Sequence, residues 1–357
     1  MWLAAQRVSA GQWLADPYRC SDGPSAVLAP GYPLLFGAVH AVSGQRETTF
    51  RIMALIACVV SSLAYALLPW LAVRLGLSQS AGIVSGWIGA LLPMLPGLEA
   101  HGPWEAPLVA LLCVVAVGIT ARGPAVAAGL TWGIAFLVGP SLLPVLLCIV
   151  VALPWRRAVL IGGVALLTVT PWLARNYYHF GSLFWIRSGL GLELALSHND
   201  NAKPTFSENW TATTYALHPA NPSVCPEVRR TGEVAYFNML ARRALAWILD
   251  HPKRAALLTA QRIWYWWRPP LHPWFRGDLS LALGLLAFFG LTKLRGLARA
   301  VSVGALVAYP LLYYSVQSDT RYRVPVEPLL LLTAGVGGIE AASRRFTSDR
   351  RNGRQLP

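Results

Sequence analysis

The sequence predicts an all-α polytopic membrane protein: a bundle of about nine transmembrane helices with one large external loop that carries amphipathic helices. Three observations predict it. Hydrophobic residues make up 55% of the chain and charged residues 13%, whereas a soluble domain carries about 25% charge. The mean hydropathy is +0.47. The apolar residues stand in long blocks with basic residues between them, a pattern that a single soluble core does not call for.

Residues 1–50 read as an external first-loop segment. Its apolar stretch from Tyr32 to Val42 is broken by Pro33 and Gly37. It is too short to cross a bilayer and reads as an interfacial helix. Residues 51–173 hold the first transmembrane group, with apolar blocks at 52–73, 80–96, 106–121, 124–139, 141–153 and 158–173. Gly139, Pro140 and Pro144 mark either a turn or a kink in one long helix. Residues 174–278 read as the external loop, because Asn, His, Asp and Glu return there among many Trp and Tyr. Within it, two amphipathic helices flank Asp250-His251-Pro252, with Leu240, Ala244, Trp247 and Ile248 on one face of the first. The second sets Trp264, Trp266 and Trp267 beside Arg262 and Arg268, a composition suited to a membrane surface. Residues 279–341 hold C-terminal blocks at 279–292, 300–316 and 325–341, and 342–357 form a basic cytoplasmic tail.

The formal net charge is +14. A nucleic-acid partner is not indicated, because the basic residues sit at the ends of apolar blocks rather than on one soluble face. They orient the chain instead. Arg74, Arg122, Arg156, Arg157, Lys293, Arg295, Arg299 and the tail arginines all fall on one side if the blocks alternate. That side is the cytoplasm of an inner-membrane protein. The segments 97–105, 174–278 and 317–324 then face outside. The same alternation puts the first fifty residues outside with no span ahead of them, so the topology predicts a further membrane helix before Met1.

Several polar residues stand out. Arg175 and Arg187 follow Pro171 among aromatic residues suited to the headgroup level, where a guanidinium can fork onto a phosphate or anchor a helix end. Asp319, Arg321 and Arg323 precede the last apolar block, where charges at such depth face a cavity or a partner. Asp16 and Asp22 read as turn residues beside Pro17 and Gly23, and Glu105 as a first-turn acid. Asn209-Trp210-Thr211 has the form of a glycosylation sequon. Of five cysteines, Cys58, Cys113 and Cys148 lie in apolar blocks as packing residues. Cys20 and Cys225 are external. An oxidising exterior would permit a disulfide, but without geometry they are read as free thiols. No Cys/His cluster indicates a metal site.

At these residues the chain resembles the GT-C glycosyltransferases, in particular the bacterial protein O-mannosyltransferase-like and aminoarabinose-transferase-like members. The resemblance rests on DPYRCSDGPSAVLAPGYPLLFGAVHAVSG, on PWEAPLVALL, on PWLARNYYHFGSLFWIRSGLGLELALSHND, and on LDHPKRAALLTAQRIWYWW and RYRVPVEPLLLL, in that order. It implies a GT-C-like bundle, a polyprenyl-phosphate sugar donor held among membrane lipids, and a lipid or protein acceptor at the external face. It implies that Arg175, Arg187, Arg321 and Arg323 bind the donor phosphate, and that Asn176, Glu193, Asn199 and Asp319 contact substrate. The family's activating acid, acting as a base or through a divalent metal, precedes the segment with which this chain starts. Glu105, Asp16 and Asp22 are the acids left to serve. A late-placed start and an inactive truncated member are both compatible with that departure. The alternative class is a transporter or flippase of lipid-linked sugars, or an accessory membrane protein. Transporters tend to show internal repeats, and none is visible here.

Overall fold

The protein is described from a computed structural model covering residues 1–91, 104–210, 215–271 and 275–351. Among the described residues it is helical, with two isolated β-bridges, Ala15 with Pro24 and Thr205 with Ser318, and no strand. The main helices are α1 (Trp2–Ser9), α2 (Gly31–Ser43), α3 (Arg46–Ala66), α4 (Leu68–Arg74), α5 (Gln79–Leu91), α6 (Ala106–Arg122), α7 (Ala125–Val138), α8 (Leu143–Val151), α9 (Trp155–Phe180), α10 (Leu190–Ser197), α11 (Glu233–Asp250), α12 (Pro252–Trp267), α13 (Phe275–Leu291), α14 (Gly296–Tyr314) and α15 (Glu327–Arg351).

Among the described residues four helical stretches are long and apolar enough to cross a membrane: α3, α9, α14 and Thr320–Ala342, which enters α15. The expected count of about nine is therefore corrected. Apolar blocks do become helices, but α7 has 14 residues and α8 has 9. At 1.5 Å per residue such helices fall well short of a hydrocarbon core about 30 Å thick. Block length in sequence also misjudged one join. The block 52–73 breaks at Leu67, between α3 and α4, where Pro69 stands at the new helix start. The block 80–96 runs beyond α5 into 92–103, outside the described residues. Gly139 and Pro140 separate α7 from α8 through a 3-10 turn, so the two are distinct helices.

The outward faces fit lipid. Leu55, Val59 and Leu63 of α3 and Val159, Leu160, Leu166 and Leu167 of α9 are exposed. The inward faces build a core around Phe36, Met53, Trp132, Phe136, Ile149 and Tyr309. Several polar groups inside it are paired, as a low-dielectric interior favours. The Trp132 indole donates to Thr120 Oγ1 at 3.0 Å, and Ser85 Oγ donates to Leu331 O at 2.8 Å, tying α5 to α15. Arg157 donates to the Thr120 and Gly123 carbonyls at 2.8 and 2.7 Å, satisfying carbonyls left over at the end of α6. Helices α13 and α15 meet at Gly290 and Gly337, where a Cβ on Gly290 would strike the Thr333 carbonyl. Small residues let two helices touch backbone to backbone.

Residues 11–30 and the loop around α10–α12 pack together into a second core of Val27, Leu192, Leu196, Tyr236, Phe237 and Leu240. The two amphipathic helices fall where they were expected, but α12 does not simply lie on a surface, because Arg262 and Trp266 are buried. Helix α10 presses on α11 at Gly191, where any side chain would collide with the Phe237 carbonyl. Cys20 and Cys225 form a disulfide across 205 residues, with Cα atoms 4.7 Å apart, which corrects the reading of two free thiols. Sequence spacing carries no such geometry; the fold brings them together. The sequon residue Asn209 is fully buried, its amide donating to Lys203 O and Gln317 Oε1, and Thr211 lies outside the described residues.

His198, at the end of α10, is buried, and burial followed by the charge of Arg262 pushes its pKa down to about 4. The unfolded chain, titrating near 6.5, binds a proton that the folded chain refuses. Stability from this group is present above pH 6.5 and lost as pH falls toward 4, by about 3 kcal/mol for a shift of this size. Denaturation at pH 7 and pH 4 should show that loss, and His198→Gln should shrink it. An equal loss in the variant would assign the acid sensitivity elsewhere.

Candidate functional site

The site lies where the first segment, the start of α6, the 183–193 stretch and the 317–322 turn converge. Arg187 is placed by an unusual backbone. Ile186 adopts φ +52°, a region costly for a β-branched side chain, by roughly 1–3 kcal/mol. The Arg187 N–H closes a tight turn onto the Trp185 carbonyl. Surrounding groups hold this conformation. The Ile186 carbonyl accepts from the Trp172 indole at 2.8 Å and from Asn176 Nδ2 at 3.3 Å. Ser188 N donates to Ala26 O at 2.9 Å, and Arg187 Nε donates to Val27 O at 2.8 Å. The two Nη groups of Arg187 take no partner among the described residues, so the forked end of the side chain is left for something else.

Arg321 sits in a ring cage. Its guanidinium carbon lies 4.5 Å from the Trp104 ring centre, 4.0 Å from Phe206 and 4.9 Å from Tyr322, distances at which cation–π attraction operates. One Nη donates to the Tyr322 hydroxyl at 3.0 Å, the Asp319 carboxylate stands 3.9 Å from Nε, and Nε itself is buried without a hydrogen bond. Glu105, at the start of α6, has a buried Oε2 that is likewise unbonded. Its charge reaches Arg321, Tyr313 and Tyr32. Burial, and then the Glu105 carboxylate, raise the Tyr32 phenol above its ordinary range. Glu193 of α10 accepts from Gln317 Nε2 at 2.9 Å and keeps its other oxygen free of partners among the described residues. The Tyr18 phenol feels the charges of both Arg187 and Glu193; it is raised first by burial, with Arg187 opposing.

The predicted site residues thus separate by what they touch. Glu105, Arg187, Glu193, Asp319 and Arg321 gather in one place. Arg175 is fully engaged: it donates to Ser25 O, Asn176 Oδ1 and Leu14 O at 2.9, 3.0 and 3.1 Å and stacks on Trp172, and so fastens the first segment to α9. Asn176 is buried in the same fastening. Arg323 pairs with Glu327 at 2.5 Å and donates to Ser280 Oγ; both ion-pair partners are nearly sealed from solvent. Asp16 accepts from Tyr18 N and Ser21 N as a turn residue. Asp22 is exposed and pairs with Arg7 at 3.2 Å. Asn199 caps α10, donating to Ala195 O.

Tyr18, Tyr32, Gln317 and Phe206 belong to the site and were not picked out in the sequence. Tyr32 had a signal, since it lies in the Pro-Gly-Tyr-Pro element. Gln317 and Phe206 had none, because their roles come from a bridge between Thr205 and Ser318. A separate cleft of ≈ 670 Å³ opens between the first segment and α9, lined by Leu34, Leu137 and Pro171 together with Asp22, Arg175 and His179. Among the described residues no group of three or more His, Cys, Asp or Glu is placed to hold a metal ion. No family model, curated protein or solved structure matches the chain.

Proposed function

We propose that the protein is a membrane glycosyltransferase that moves a sugar from a polyprenyl-phosphate donor to a lipid or protein acceptor at the extracytoplasmic face. The observation that carries this reading is the forked end of Arg187, left unbonded on a strained turn, at the same end of the molecule as a second guanidinium, Arg321, and a Glu105 carboxylate with one buried, unbonded oxygen. Strain of this kind persists where surrounding structure over-determines it, and it clusters at working sites. The Cys20–Cys225 disulfide supports an oxidising compartment for this end of the molecule.

In this reading an acceptor hydroxyl gives its proton to the Glu105 carboxylate. The acceptor oxygen bonds to the anomeric carbon as the bond from that carbon to the phosphate oxygen breaks. The electron pair leaves with the polyprenyl phosphate, and Arg187 and Arg321 stabilise the charge that develops there. The cleft along α9, lined by apolar residues with Asp22, Arg175 and His179 among them, suits an approach from the bilayer. Glu193 is placed to bind an acceptor or sugar hydroxyl.

The test is transfer from a radiolabelled polyprenyl-phosphate sugar in proteoliposomes. Wild type is expected to label an acceptor fraction, and Glu105→Gln to lower kcat by about 10²–10⁴-fold with donor affinity kept. Net movement of the labelled lipid across the bilayer without any transfer would replace this reading with a transporter.

A further inference from the structure

Arg262 of α12 is fully buried, and among the described residues no carboxylate lies within ion-pair distance of it. One Nη donates to the Ser197 carbonyl. The other faces His198 Nε2 at 3.3 Å. His198 Nδ1 lies 3.1 Å from the Leu194 carbonyl. An imidazole carrying its proton on Nδ1 donates there and offers the Nε2 lone pair to Arg262. With its pKa pushed down to about 4, His198 is neutral and adds no charge of either sign. The nearest acid of α10, Glu193, is bound to Gln317. The positive charge of Arg262 is therefore uncompensated by its surroundings, a costly state for a buried ion.

Three hydrogen-bond groups around this charge are buried and unbonded: Arg262 Nε, Trp266 Nε1 and Ser197 Oγ. Arg262 and Trp266 are four residues apart and share a helix face. Ser197 is joined to Arg262 through its own carbonyl. An unmade buried bond costs about 1–3 kcal/mol, so three on neighbouring side chains call for a partner. The partner must accept from a guanidinium N–H, an indole N–H and a hydroxyl, and must carry negative charge. Each side chain has one unbonded donor, a set that suits a spherical ion better than a tetrahedral oxyanion.

We propose that Arg262, Trp266 and Ser197 form a buried binding site for a small inorganic anion of halide size. The site is separate from the Arg187–Glu105 centre, although a column of stacked rings joins them. Trp266 stacks on Tyr313 at 5.4 Å, and Tyr313 on Tyr322 at 4.7 Å, beside Arg321. An anion that fixes Trp266 steadies one end of that column.

The experiment is thermal unfolding of the full chain in detergent, titrated with sodium chloride, sodium gluconate or sodium phosphate at matched ionic strength. Chloride is expected to raise Tm saturably, by about 3 °C at a hundredfold excess over Kd, while gluconate does not. Trp266→Phe keeps the ring and removes the N–H. It should weaken the chloride midpoint about tenfold. Arg262→Gln should abolish the response, and if that variant fails to fold, the Trp266→Phe comparison decides alone. A bromide-soaked crystal should place an anomalous peak between the three side chains. The proposal is overturned if gluconate matches chloride, if phosphate binds more tightly than chloride, or if Trp266→Phe responds as wild type does.

Discussion

Arg187→Ala is expected to lower sugar transfer by about 10²–10³-fold, the loss typical of removing a preorganised donor from a developing negative charge. The fall should lie mainly in kcat, because the guanidinium is proposed to meet charge that grows as the phosphate leaves. Melting should change little, since among the described residues the side chain's one hydrogen bond is Nε to the Val27 carbonyl. Arg187→Lys keeps a charge without the planar fork and should recover only part of the rate. Arg321→Ala should behave similarly, and the double variant should lose less than the product of the two because both act on one group. Arg323 is the contrast. Removing it strands Glu327 in a buried position, so Arg323→Ala should cost about 3–5 kcal/mol of stability. A fully active Arg187→Ala enzyme would take Arg187 out of the phosphate site.

The disulfide carries the second large effect. Closing 205 residues of chain would, by loop entropy alone, stabilise a freely unfolding polymer by about 5 kcal/mol. This chain is not such a polymer, because α3 and α9, both long and apolar enough to cross a membrane, lie between the two cysteines, and a helix inside a bilayer keeps its backbone bonds when the rest unfolds. The loss on Cys20→Ser with Cys225→Ser is therefore expected at about 2–4 kcal/mol, concentrated where residues 11–30 meet α10 and α11. The Arg229 bond to the Cys20 carbonyl and the Glu233 carboxylate, which accepts from Ala26 N and Ser188 Oγ, remain in the variant and keep it from coming apart entirely. Hydrogen exchange should show faster exchange over 14–28 and 225–240, with α13 to α15 unchanged. Uniform protection in reduced and oxidised protein would mean that packing, not the crosslink, holds this region.

Much of the helical order was legible because a helix satisfies its own backbone and leaves a local record in composition. The apolar blocks mark helices, and the break at Asp250-His251-Pro252 separates α11 from α12 as the residues predict. Span count was not legible to the same degree. Whether an apolar block crosses a bilayer depends on helix length and on turns such as the one at Leu67, and proline and glycine bias such turns without fixing them. The candidate site shows the same division. Composition and motif order pointed to Glu105, Arg187, Glu193, Asp319 and Arg321 as charges worth explaining. They equally pointed to Arg175, Asn176 and Arg323, which are occupied in holding the structure.

What the sequence by itself determined is the helical, apolar character, the polar composition of residues 174–278 and the set of charges near their ends, since hydrophobicity and helical period are properties of neighbouring residues. What only the tertiary structure decided is which charges are spent. Arg175 finds the carbonyls of Leu14 and Ser25, Arg323 finds Ser280, and Cys20 finds Cys225, all across long stretches of chain, while Arg187 and Arg262 keep donors to spare. A side chain's remaining hydrogen-bonding capacity is fixed by partners far away in sequence, and only folding brings those partners within 3 Å or so of it.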